Sequence, residues 1–164
     1  MILLCGKKRS GRTTLAGYLV QKYNVKEFRI SDPVLEHVCY FYNLSYSQVH
    51  IDKDVYDKRW NATPRQLMQR TVKLFHKNYF INLLKQKIKH EKGIILISDL
   101  SYQHEIDAFP NSLVVKLERE RDYVFDPEDN QELKADFVLQ NNEDLELLQE
   151  KFDNIIAVLS CKTP

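Results

Sequence analysis

The chain has 164 residues, 43% of them apolar and 29% charged, with a formal net charge of +1. That composition suits one globular domain with one sizeable core and excludes a disordered or low-complexity chain. The near-zero net charge points neither toward nor away from nucleic acid, so any anion site has to come from local clustering of cations.

Residues 1–5 read as a short buried strand, and charges follow Ile2–Cys5 at once, unlike a secretion signal. No apolar run is long enough to span a bilayer. An intracellular, cytoplasmic protein with no membrane partner is therefore expected. A helix follows from about Arg12 to Tyr23, with Leu15, Tyr18, Leu19 and Tyr23 at helical spacing. The stretch 25–30 predicts a second strand. At "SDP", Asp32 is placed to cap a helix and Pro33 to open it, with Val34, Leu35, Val38 and Cys39 inward.

Residues 43–62 are polar and weakly periodic, a loop or short helix. "TPRQLMQ" is a sharper start, with Thr63 as cap, Pro64 first and Gln66 closing a capping box. Leu67, Met68, Thr71, Val72 and Phe75 supply its apolar face. Phe80, Leu84 and Ile88 stripe another helix, with Lys85, Lys87 and Lys89 outward and Gly93 as its left-handed stop. The run 94–98 reads as a central parallel strand covered on both faces, with Asp99 directly after it. "QHEIDAF" predicts a short helix, and 112–118 and 136–141 two more strands. The segment 119–135 is charge-dense and lacks core periodicity. Leu145, Leu148, Phe152, Ile155 and Leu159 mark a closing helix. Strands alternating with helices imply an α/β domain with a parallel sheet.

The opening stretch holds the most specific chemistry. Gly6, Gly11, Arg12 and Thr13 give G-x-x-x-x-G-R-T, one residue away from the phosphate-loop pattern G-x-x-x-x-G-K-[ST]. Glycines let backbone amides turn inward and approach phosphate closely, and the helix beginning at Arg12 points its positive end at the anion. Gly6, Lys7, Lys8, Arg9, Ser10, Gly11, Arg12, Thr13 and Thr14 are thus candidates to hold nucleotide phosphates. Thr13 would offer a hydroxyl to Mg²⁺. Arginine in the lysine position keeps the charge but is longer, planar and forked, so the exchange is not conservative.

Asp99 stands where a carboxylate at a strand exit would hold Mg²⁺ directly or through water. Arg65 and Gln69 lie one helical turn apart, placed to clamp a substrate phosphate and to meet a base. Asp32 is a candidate to face the substrate or Mg²⁺. Arg119 and Arg121 follow the fourth strand, where a lid would bring them to the phosphates. His104–Glu105 lacks the second histidine of a zinc-protease helix, so no metal is expected there. Cys5, Cys39 and Cys161 fit neither a zinc pattern nor a disulfide framework, and read as free thiols. The tyrosines and Trp60 are not interleaved with a basic stripe, so no nucleic-acid partner is expected.

Taken in order, "GKKRSGRTT", "SDP", "TPRQLMQ", "DLSYQHEIDA" and "ADFVLQNNEDLELL" resemble the deoxynucleoside monophosphate kinases of bacteriophages and large DNA viruses, over the whole chain. Animal phosphomevalonate kinases share the plan. The resemblance implies a P-loop three-layer sandwich: one domain over 1–164, with a five-stranded parallel sheet flanked by helices, a substrate-binding helical part at about 31–92 and a short lid at about 119–135. It implies ATP and Mg²⁺ as cofactors and a nucleoside monophosphate as acceptor, in host cytoplasm if viral. Arg12, Asp99 and Arg119 would be catalytic, Thr13 and Asp99 the metal side, and Asp32, Arg65 and Gln69 the substrate side. The family's loop lysine is Arg12 here, its arginine two residues after the strand-three aspartate is Ser101, and its Gly-containing turn after the "LMQ" helix is replaced by "RTVKLFHKNYF". A second reading therefore stands beside the kinase: a degenerate kinase-like domain retained to bind nucleotide, a second copy or another protein.

Overall fold

The computed structural model describes residues 1–120 and 132–160, with side chains to residue 157. The elements in chain order are β1 (Ile2–Gly6), α1 (Arg12–Tyr23), β2 (Lys26–Phe28), α2 (Ser31–Tyr42), α3 (Tyr46–His50), α4 (Pro64–Leu74), α5 (Tyr79–Ile88), β3 (Ile95–Leu100), α6 (Gln103–Asp107), β4 (Leu113–Glu118), β5 (Phe137–Gln140) and α7 (Leu145–Ser160). The strands form one sheet in the order β2-β3-β1-β4-β5, and every pairing is parallel. The expected five-stranded parallel sheet flanked by helices is present. Contacts divide the chain into two compact units, residues 1–28 with 92–164 and residues 29–91.

The first unit is built around β1. Residues Ile2–Gly6 are buried throughout, as an apolar run needs when both faces of a strand are covered. Alternation sends Ile2 and Leu4 to one face, where they meet Leu96, Val115, Leu117 and Leu139 from neighbouring strands. α1 covers that face with Leu15, Ala16 and Leu19, and α7 with Leu148, Phe152 and Ile155. Register pairs Cys5 with Leu100 and Gly6 with Leu117, so β1 ends level with its neighbours and the loop after it opens at the carboxyl edge of the sheet. β1 lies between β3 and β4, where successive crossovers leave in opposite directions, the usual place for a ligand in such sheets.

The second unit packs α2 to α5 around Val34, Val38, Leu44, Val49, Ala62, Leu67 and Phe80. His37 is flanked edge-on by the rings of Phe75, Tyr79 and Phe80. Both short polar starts are closed by capping boxes, Ser45 with Gln48 on α3 and Thr63 with Gln66 on α4. The α3 box explains why the weakly periodic stretch holds a helical turn at all.

Several boundaries differ from the sequence reading. β2 is three residues long, and α2 starts at Ser31, so Asp32 and Pro33 lie inside its first turn rather than at the cap and first position. Asp32 Oδ2 instead accepts the Arg29 amide at 3.0 Å, and Pro33 costs no bond because first-turn amides lack helical partners. α5 ends at Ile88, and Gly93, at φ 95°, serves the turn into β3 rather than the helix end. β3 runs on through Asp99 to Leu100. Val72 and Leu145 are exposed, not core. Most of the lid expected at 119–135, with Arg121, and Cys161 lie outside the described residues.

Candidate active site

The phosphate-loop residues form a tight bend between β1 and α1. Gly6 has φ 140° and Gly11 φ 104°, angles that glycine adopts without strain, and Arg9 sits left-handed at φ 63°. A methyl at Gly6 would overlap the Leu117 carbonyl, and one at Gly11 the Asn141 amide, so each glycine is also needed for space. Within the bend, Ser10 N donates to the Lys7 carbonyl at 3.2 Å. α1 begins without any side-chain cap and without an acidic residue in its first turn. Its first amides and its positive dipole end are therefore presented at the loop.

Arg9, Gly11, Arg12, Thr13, Thr14 and Arg119 line a cavity of about 310 Å³. Among the described residues its charged walls are three arginines, and no carboxylate lines it. A neighbouring cavity of about 310 Å³ is lined by Lys7, Ser10, Lys116, Leu117, Glu118, Arg119, Glu120 and Gln140, so Arg119 borders both. Here Lys116 holds Glu118 at 2.7 Å, and that ion pair, with a bond from Gln140, keeps the Glu118 carboxyl below its usual range. Ser10 is buried, and its Oγ has no partner among the described residues. An uncapped helix start, a glycine turn that leaves no room for side chains, and converging arginines fit a polyphosphate.

Arg12 answers in part the question posed by the altered motif. Its Nη1 donates to the Leu100 carbonyl at 2.7 Å, tying the first turn of α1 to the end of β3. The guanidinium thus borders the cavity and braces the strand exit together. The exit itself is held by Glu105, which is buried and accepts the amides of Ser101 at 2.7 Å and Tyr102 at 3.0 Å. Burial pushes the Glu105 carboxyl up; the two amides pull it down, Asp99 adds an upward push and Arg12 a downward pull. Asp99 is half-buried one residue before Leu100. Cys5, beneath the loop, is pushed up to about 11 by burial, against the pull of Lys116 and Arg12, so its thiol stays neutral.

Among the described residues, no three His, Cys, Asp or Glu side chains gather to hold a metal ion. Mg²⁺ does not require such a cage, since it keeps waters and takes one or two carboxylates with substrate phosphates. Thr13, with its hydroxyl side chain, lines the arginine-walled cavity, whereas Asp99, a half-buried carboxylate in β3, is not among the cavity's described lining residues.

Asn141 was not singled out by sequence reasoning. It is buried just after β5, donates Nδ2 to the Ser10 carbonyl at 2.7 Å, and gives its own amide to Glu118 O at 2.7 Å. It pins the phosphate loop from the far side of Gly11. The faint signal was a buriable amide directly after the last strand. Glu105 was missed as well, though an acid at the third position of a short helix is a capping pattern.

The substrate-side candidates lie in the second unit. Asp32 is in the first turn of α2, and Arg65 and Gln69 are exposed on α4 one turn apart. Arg65 is engaged in a two-point pair with Asp54.

A family model described as deoxynucleotide monophosphate kinase matches residues 1–65, from β1 through the phosphate loop to the start of α4. A protein of Acanthamoeba polyphaga mimivirus, itself provisionally named a deoxynucleotide monophosphate kinase, is 27% identical over 185 residues, 96% of this chain and 94% of that protein. The chain is similar to deoxynucleotide monophosphate kinases. It carries Arg12 where the pattern G-x-x-x-x-G-K-[ST] has lysine. Two solved structures share the fold: shikimate kinase from Aquifex aeolicus, with TM-score 0.56 and 13% identity over 98% of each chain, and dephospho-CoA kinase from Campylobacter jejuni, with TM-score 0.56 and 10% identity over 99% of this chain and 98% of that one. The resemblance read from scattered motifs and the parallel-sheet kinase fold both hold. Among the described residues no helix is long and apolar enough to cross a membrane.

Proposed function

We propose that the protein transfers the γ-phosphoryl group of Mg²⁺-ATP to a (deoxy)nucleoside monophosphate in the cytoplasm. The observation that carries this reading is the arginine-walled cavity at the uncapped start of α1. Gly6 to Thr14 would hold the ATP phosphates, with Thr13 and Asp99 on the Mg²⁺ side. When bound at Thr13 and Asp99, the metal would supply positive charge that neutralises the group in transit. The acceptor's phosphate oxygen attacks Pγ as the bond from Pγ to the bridging oxygen breaks, and ADP departs with that oxygen. No covalent enzyme intermediate is needed. Arg12 and Arg119 supply cations to the transferring group, and Arg65, Gln69 and Asp32 are the acceptor side.

Two features favour a second reading, a kinase-like module that binds nucleotide without turnover. One nitrogen of Arg12 is committed to the Leu100 carbonyl, and Ser101 stands where relatives are read to place an arginine. One assay separates the two. Purified protein is mixed with Mg²⁺-ATP and each of the four deoxynucleoside monophosphates, and diphosphate formation is followed. Turnover that disappears in Arg12→Ala supports the kinase. ATP binding with no turnover on any acceptor supports the module, and failure to bind ATP removes both.

A further inference from the structure

Arg65 stands in the first turn of α4, and its fork is already filled. Nε donates to Asp54 Oδ1 at 2.5 Å and Nη2 to Asp54 Oδ2 at 2.9 Å, the two-point geometry by which guanidinium holds carboxylate and phosphate alike. The segment carrying Asp54 is docked on the same helix start by its backbone, since the Lys53 carbonyl accepts the Arg65 amide at 2.9 Å. The helix does not need the carboxylate as a cap. Thr63 and Gln66 already satisfy each other's amides there. Both partners are accessible, with 44% of the Arg65 side chain and 68% of the Asp54 side chain exposed. Such a pair contributes little to stability and opens at little cost.

We propose that Asp54 competes with the acceptor's phosphate for Arg65, and so sets how tightly and how selectively the chain holds a nucleoside monophosphate. The inference rests on the acceptor role given to Arg65 above. A phosphomonoester carries close to two negative charges at pH 7, more than one carboxylate offers the same fork. It therefore displaces Asp54 from the Nε–Nη2 edge, whereas an uncharged nucleoside cannot. An acceptor that took the opposite edge of the guanidinium would leave Asp54 beside it, and repulsion between like charges would weaken the hold. By either route, removing the Asp54 charge tightens phosphate binding. A carboxylate that only oriented Arg65 would have the opposite effect. Arg65 holds the Asp54 carboxyl below its usual range, so the competitor stays charged at neutral pH.

The test is titration calorimetry on the full chain, Asp54→Asn, Arg65→Gln and the double variant. The probes are dAMP, dGMP, dCMP, dTMP and the four matching deoxynucleosides. Asp54→Asn is expected to bind at least one monophosphate about two- to fivefold tighter than the unchanged protein, the span of an exposed ion pair. The gain shrinks in high salt, is absent for the nucleoside, and vanishes in the double variant, which matches Arg65→Gln. Equal or weaker binding by Asp54→Asn overturns the inference while leaving the acceptor site standing. So does an equal gain for the nucleoside, which would mean a loosened segment rather than a removed competitor. If no monophosphate binds to the unchanged protein or to Asp54→Asn, the acceptor reading of Arg65 falls, and the inference with it.

Discussion

At the scale of single residues, Arg12 carries two tasks that a lysine would not combine. It braces the end of β3 through the Leu100 carbonyl, and it lines the cavity proposed for phosphates. An ammonium is a compact point charge with freely turning donors, free to follow the phosphoryl group, whereas a planar fork held at one nitrogen is not. Arg12→Lys is therefore expected to raise turnover about tenfold, equal to roughly 1.4 kcal/mol at the transition state. The same change should lower stability by about 1 kcal/mol through the lost carbonyl bond. Coupled phosphoryl-transfer kinetics and urea unfolding measure the two effects, and unchanged turnover would show that the bound fork already serves the reaction. Asn141 gives a complementary case. Asn141→Ala leaves the Ser10 carbonyl without its donor and opens space against Gly11, with an expected loss of about 1–2 kcal/mol in stability. ATP affinity should drop further than that of a control variant of equal stability elsewhere in the fold, as fluorescent-nucleotide titration can show. The two residues were unequally legible. Arg12 belongs to a pattern contained in eight consecutive residues, while the partner of Asn141 is 131 positions away and only the fold brings them together.

At the scale of elements, α1 and α7 share one sheet face and are joined at its rim by a single carboxylate. Asp153 on α7 accepts Tyr18 at 2.7 Å, Tyr23 at 2.6 Å and Lys22 at 2.5 Å, all from α1. Partial burial pushes the Asp153 carboxyl up, but the bonds from Lys22, Tyr23 and Tyr18 together outweigh it and hold the group below its usual range. A depressed carboxyl stabilises the fold above its unfolded pKa, about 3.9, and that contribution is lost as pH falls through the lower folded value. Asp153→Asn should lower the thermal midpoint at pH 7 by roughly 2–4 °C, and the gap to the unchanged protein should close below about pH 4. A gap that stayed constant to pH 3 would assign the effect to packing instead. Beneath the rim, Phe152 is fully buried between the two helices and the sheet, and Phe152→Ala should cost about 3–5 kcal/mol in chemical unfolding. The elements themselves could be read from the sequence wherever side chains impose a period, as in α1, α4 and α5, or an unbroken apolar run, as in β3. They could not where backbone geometry decides. Asp32 and Gly93 both carry end-of-helix chemistry, yet Asp32 falls inside a helix and Gly93 serves a turn, because the register of a helix end is set by what it packs against.

At the scale of the whole molecule, strands separated by amphipathic stretches left few topologies open, and right-handed crossovers of parallel strands left fewer. That is why the sheet and the place of the glycine bend between β1 and α1 were legible. The proposed acceptor residues carry a weaker signal: Arg65, Gln69 and Asp32 are ordinary surface residues by composition, and the pair between Arg65 and Asp54 follows no sequence rule. The same global view gives a test that needs no acceptor. A ligand that binds only the folded chain stabilises it by RT ln(1 + [L]/Kd), about 2.7 kcal/mol at one hundred times Kd. For a chain of this length that is a rise in thermal midpoint of roughly 5–10 °C. Mg²⁺-ATP should produce such a rise and inorganic phosphate a smaller one, since only the nucleotide engages the loop with a whole polyphosphate. In Arg12→Ala the ATP-induced rise should be cut by at least half. Loss of one of the cavity's three arginines removes a cation from the anion site together with the brace on β3. An equal rise in Arg12→Ala and in the unchanged protein would place the nucleotide away from Arg12 and against the phosphate-loop reading, whatever the outcome of the turnover assay.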